Sequence, residues 1–300
     1  MYIRGNRVIA TVLAAAGLLC AANSVPGQTT STYKAPRAAD GKPNLNGIWQ
    51  SMNSAYWDIE AHPAAPGPVT ALGAAYSVPG GLGIVEGGPL PYKPEALVKK
   101  RENAAKRLEL DPEIKCYQPG TPRAMYMPYP FQIIQSPKHI MMVFEFAGAV
   151  RTIYMADQTE APADSWMGWS NGKWEGETLV INTEGFFGRT WFDRAGNFHS
   201  KAMTVVERLS ARSLETLNYE ATITDPETFT RPWKISMPLY RRVEKNAQLT
   251  EYRCVEFSED VVYGHLAKPP GAPAAPATTA PAGGRGGPPA GGRRGAPPPQ

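Results

Sequence analysis

TLNYEATIT, residues 216–224, decides the fold class. Leu217, Tyr219, Ala221 and Ile223 fall on one face and Asn218, Glu220 and Thr222 on the other, the period of two that marks a half-buried antiparallel strand. Trp233, Ile235, Met237 and Leu239 repeat the pattern, and Pro238 implies an edge or a bulge because proline offers no N–H to a ladder. Upstream, HIMMVFEF (139–146) and VRTIYM (150–155) are joined by Ala147-Gly148-Ala149. A hairpin centred on Gly148 sets Glu145 opposite Arg151 and Val143 opposite Ile153, which makes the charged pair structural. TEYRCVEF (250–257) reads as the closing strand. About eight to ten strands at such spacings predict an all-β, mainly antiparallel domain, a closed or nearly closed barrel without free sheet edges.

Toward the N-terminus this alternation fades. DGKPNLNGIWQ (40–50) brings in the first strand, and its Gly47-Ile48-Trp49 is similar to the Gly-x-Trp that opens lipocalin-type barrels. Met52–Pro91, rich in Ala, Gly and Pro, predicts a long irregular segment lying over the domain. Its GGLGIVEGG (80–88) is no dinucleotide fingerprint, since Glu86 stands where the last glycine of G-x-G-x-x-G belongs. Residues 94–108, PEALVKKRENAAKRL, predict a helix: proline suits the first turn, helix formers follow, and the charges form a solvated face.

Both ends have compositions unsuited to a core. Residues 1–22 carry Arg4 and Arg7, then an apolar run, Val8–Leu19, too short for a membrane span, which predicts a secretory signal peptide and no transmembrane segment. Leu19 before Cys20 departs from a lipidation signal, and residues 23–44 form a polar leader. Residues 266–300 are Pro, Gly and Ala with scattered basic residues, too poor in apolar side chains to repay ordering, so disorder is expected there. One β-rich domain, 45–265, lies between, with its barrel strands within about 131–258.

Of the formal net charge of +4, that tail supplies +4 through Lys268, Arg285, Arg293 and Arg294, and the first 22 residues supply +2. The remainder carries −2, which argues against the basic surface a nucleic-acid partner requires. Cys116 and Cys254, an even pair in an exported chain, predict a disulfide. Histidines 62, 139, 199 and 265 lack metal-ligand spacing, and nothing calls for a metal or cofactor.

The runs DPEIKCYQPGTPR (111–123), PFQIIQSP (130–137), GKWEGETLVINTEGF (172–186), WFDRAGNFHS (191–200), VVERL (205–209), ITDPETFTRPW (223–233) and EYRCVEF (251–257) resemble those of a large group of uncharacterised exported bacterial proteins. That resemblance implies export, a β-rich body similar to lipocalin-like barrels, and no established reaction. Gly176-Glu177-Thr178 departs from the Gly-Asp-Thr usual in the group.

WMGWSNGKWEGETLVINTEGFFGRTWFDRAGNFHSKAMTVVER (166–208) concentrates candidate chemistry. Trp166, Trp169, Trp174 and Trp191 offer either a stacking platform for a small apolar or aromatic ligand or plugs for the barrel end. Arg123 with Tyr126 either grips an anionic ligand or fixes loop carbonyls. Glu175, Glu177 and Glu184 read as solvated rather than as a glycosidase pair, and Tyr219 and Tyr240 are reserve acids. In WFDRAGNFHS a hairpin centred on Gly196 sets Asp193 opposite His199, where the carboxylate would favour the imidazolium and make a general acid–base pair. A slipped register would separate them. The leading reading is a periplasmic or secreted small-molecule-binding barrel; the alternatives are a cofactor-free isomerase, hydratase or lyase using Asp193 and His199, and a structural envelope protein.

Overall fold

The structure, a computed structural model, describes residues 33–67, 69–156 and 158–266. The expected signal peptide and all but the first residue of the expected tail lie outside them. Nine strands form a closed barrel in chain order: β1 (Gly47–Gln50), β2 (Phe131–Gln135), β3 (His139–Phe144), β4 (Val150–Tyr154), β5 (Trp169–Glu175), β6 (Thr178–Glu184), β7 (Thr204–Ala211), β8 (Thr216–Thr224) and β9 (Trp233–Arg241). An odd ring cannot alternate direction throughout. Its one parallel pair is β4 with β5, where residues 155–168 provide the long crossover that parallel neighbours require.

Alternation places the core. Leu217, Tyr219, Ala221 and Ile223 of β8 and Trp233, Ile235, Met237 and Leu239 of β9 point into the barrel with Ile140, Met142, Phe131 and Trp49. Side chains fill the interior, as expected for a barrel of about this strand number. Facing Lys234 and Ser236 on the far side of β9 from β8 are residues 84–86 of the irregular segment: Glu86 N donates to Lys234 O and Ser236 N to Ile84 O. They cover the edge that the short β1 leaves open. By the same alternation the N position of Pro238 points to that side, between residues 84–86 and the β1 pairing at Tyr240 and Arg241, where no ladder bond is missed.

The irregular segment continues into α1 (Pro94–Ala105), with Pro94 in its first turn, and α2 (Arg107–Leu110). Helix α1 rests on the 190–199 hairpin, burying Ala96 with Trp191 and Phe198. Gly196 lies against its backbone: a Cβ there would come 2.7 Å from both Ala104 N and Lys100 O, and φ is +84°. Only glycine meets both conditions.

Two sequence expectations are corrected here. Phe144 N donates to Ala149 O and Met142 faces Arg151, so the loop is 145–148, and Glu145 accepts from Thr250 N instead of pairing with Arg151. Residues 250–257 form no strand, because β9 already closes on β1; a short helix α3 (Ser258–Tyr263) follows them. Cys254 is nevertheless bonded to Cys116, with Cα atoms 5.7 Å apart. A formed disulfide fits an oxidising compartment. Among the described residues no helix is long and apolar enough to cross a membrane.

Candidate functional site

Outside one end of the barrel, four pieces of chain enclose a groove of ≈ 900 Å³: residues 57–66 with Val78, the junction of α1 and α2 (Ala104–Glu109), Arg194 with Ala195, and Phe257 with Asp260. Trp57 forms one wall. The guanidinium carbons of Arg194 and Arg107 lie 4.5 and 5.7 Å from its ring centroid, within cation–π range.

These arginines belong to a partly buried ionic array. Arg194 holds Glu113 through Nε at 2.9 Å and Nη2 at 2.5 Å, and Arg123 adds a contact to Glu113 at 2.6 Å and one to Asp111 at 3.2 Å. Burial by itself would raise the Glu113 carboxyl; the Arg194 and Arg123 guanidiniums reverse this and hold it at about 2. Arg107 Nη2 binds Glu259 Oε2 at 2.7 Å, and Tyr76 donates its hydroxyl to the same oxygen. Burial and then Glu259 push the Tyr76 phenol up to about 12. Arg107 Nη1 is buried with no partner.

Behind the groove, Asp193 organises a turn. Its Oδ1 accepts from Ala195 N and Asn197 N, and its Oδ2 from Ile59 N and the Asn197 side-chain amide. That amide also reaches Asp58, a lining residue, at 3.4 Å. Burial first, and then Asp58, push the Asp193 carboxyl up to about 7 against the lowering effect of these donors.

The structure does not bring Asp193 and His199 together. Phe192 N bonds Asn197 O and Trp191 bridges Phe198, so the hairpin loop is 193–196 and Thr190, not Asp193, stands opposite His199. His199 Nδ1 lies 2.8 Å from Ser200 O, a group that only accepts, so Nδ1 carries the proton and Nε2 accepts the Thr190 hydroxyl at 2.6 Å. Burial lowers the His199 pKa, opposite to the expected rise.

Nor do the four tryptophans form one platform, since none of their rings stacks on another. Trp166 stacks on Tyr117, Trp169 on Tyr154, Trp174 packs partly buried against the core, and Trp191 is buried under α1. Arg123 is fully engaged by carboxylates except at Nε, and the Tyr126 hydroxyl donates to Phe192 O. Glu175 meets Lys173 and Arg208, and Glu177 meets Arg37, all at the surface. Tyr219 donates to buried Glu207 inside the barrel.

Trp57, Arg107, Arg194 and Glu259 were not singled out in the sequence. Trp57-Asp-Ile-Glu60, a clustered aromatic and acidic patch in a segment otherwise of Ala, Gly and Pro, was the available signal. No protein-family model and no curated protein matches this chain.

Proposed function

We propose that this chain is an exported small-molecule-binding barrel whose ligand, apolar or aromatic in its body, lies in the Trp57 groove. The groove carries the reading: ≈ 900 Å³ falls within the range of about 300–1,000 Å³ usual for small-molecule sites. Trp57, Pro63, Pro66, Val78, Leu108 and Phe257 supply apolar wall around a few charged groups. The helix junction on one side and a disulfide-tied segment on the other support such a site, and the resemblance to exported bacterial proteins agrees with the disulfide.

The test is a metabolite screen by thermal shift, followed by calorimetry on two variants. Trp57→Ala is expected to weaken the best binder by about tenfold or more, from lost aromatic contact area. Trp169→Ala is expected to leave it unchanged. Unchanged affinity in Trp57→Ala would move the site elsewhere.

A further inference from the structure

Glu259 is held in the way a ligand would be. Its Oε2 accepts from Arg107 Nη2 at 2.7 Å and from the Tyr76 hydroxyl, while its Oε1 has only Arg194 Nη2, at 3.9 Å. Both arginines line the groove, as does Asp260, the residue that follows Glu259. Yet the fit is incomplete on both sides. Arg107 is buried but uses one terminal nitrogen, with Nη1 unpartnered, whereas a guanidinium facing a free carboxylate donates through two parallel N–H bonds.

The segment that carries Glu259 is lightly seated. Helix α3 is six residues long and buries none of them, and Val261 and Val262 face solvent. Phe257 N donates to Ile114 O, and the Cys116–Cys254 bond keeps the segment tethered when other contacts break.

Building on the groove as the ligand site, we propose that its ligand is a monocarboxylate with an aromatic or apolar body. In the unliganded protein Glu259 occupies the carboxylate subsite formed by Arg107, Arg194 and Tyr76. The incoming carboxylate displaces Glu259, takes both terminal nitrogens of Arg107, and lays its body along Trp57. The other acids on the groove wall, Asp58, Glu109 and Asp260, repel a second negative charge, so a dicarboxylate binds less well.

The experiment is calorimetry with naphthoate and its neutral analogue naphthylmethanol on the full chain and three variants. Wild type is expected to bind naphthoate about tenfold more tightly than the alcohol. In Glu259→Gln, naphthoate affinity rises by about tenfold as the internal competitor is weakened, while the alcohol is unaffected. In Arg107→Gln, naphthoate falls to the level of the alcohol. Circular dichroism checks each fold, and if Arg107→Gln does not fold, the Glu259→Gln comparison decides alone. Equal binding of both probes, indifferent to Glu259→Gln but lost in Trp57→Ala, overturns the carboxylate inference and leaves the groove reading standing. Binding of neither probe to any form, or binding that survives Trp57→Ala, overturns the groove reading itself.

Discussion

Glu113 is a side chain whose titration ties the stability of the folded chain to acid pH. Its carboxyl titrates at about 2 in the folded chain against 4.5 in an unfolded one. The native state therefore binds this proton less readily, and the stabilisation is complete above 4.5 and lost as pH falls toward 2. A shift of that size corresponds to roughly 3 kcal/mol. Asp193 acts in the opposite sense: with a folded-state value of about 7 against 3.8, its contribution declines as pH rises between the two. Urea unfolding across this range is expected to show acid loss in wild type and a flatter acid limb in Glu113→Gln. Parallel limbs in the two proteins would place the acid sensitivity in another carboxylate. Arg123 stands out in the sequence as a candidate anion grip, but its partner Glu113 does not, because the array is completed only when Arg194 is brought in from the 190–199 hairpin.

At the scale of elements, strands were legible and registers were not. Period-two burial in β8 and β9 follows from the order of apolar and polar residues alone, since one face must reach the core. Both misread hairpins failed for one physical reason. In sequence Gly148 and Gly196 read as loop centres, but each is the last residue of a four-residue loop, at positive φ, closing Phe144 on Ala149 and Phe192 on Asn197. Moving the glycine from centre to end re-pairs every residue on the hairpin, which separated Asp193 from His199 and released Arg151 from Glu145. Freed from that pairing, Arg151 spans the parallel contact of β4 with β5, a seam two residue pairs long, as is that of β1 with β9. It bonds Ser170 on β5, Thr183 on β6 and Glu207 on β7. Arg151→Ala leaves Glu207 buried without its countercharge and is expected to cost about 3–5 kcal/mol in denaturant unfolding, whereas Arg151→Met with Glu207→Leu recovers most of it. A cost below about 1 kcal/mol for the single change would mean that the seam does not depend on this arginine.

For the whole molecule, the closing element is a covalent bond and not a strand. The ring is complete at β9, so residues 250–266 gain no ladder and are attached through Cys254, Phe257 and Glu259 to the segment around Arg107–Cys116. Parity and compartment predicted the bond from sequence, while the placement of Cys254 in a strand was wrong because the count of strands needed for closure is not written in any one of them. The bond joins positions 138 residues apart, and a loop that long restricts the unfolded chain enough to contribute about 2–5 kcal/mol. It also fixes one wall of the groove, since Phe257 and Asp260 lie just beyond Cys254. Reduction is therefore expected to lower the unfolding midpoint and, under conditions where the barrel stays folded, to expose residues 250–266 to limited proteolysis before any barrel strand is cut. Mass mapping after alkylation of the unreduced, unfolded chain should find Cys116 and Cys254 unlabelled. Labelling of both would remove the bond, and cleavage first within β7–β9 after reduction would show that the disulfide holds the barrel itself and not the groove wall.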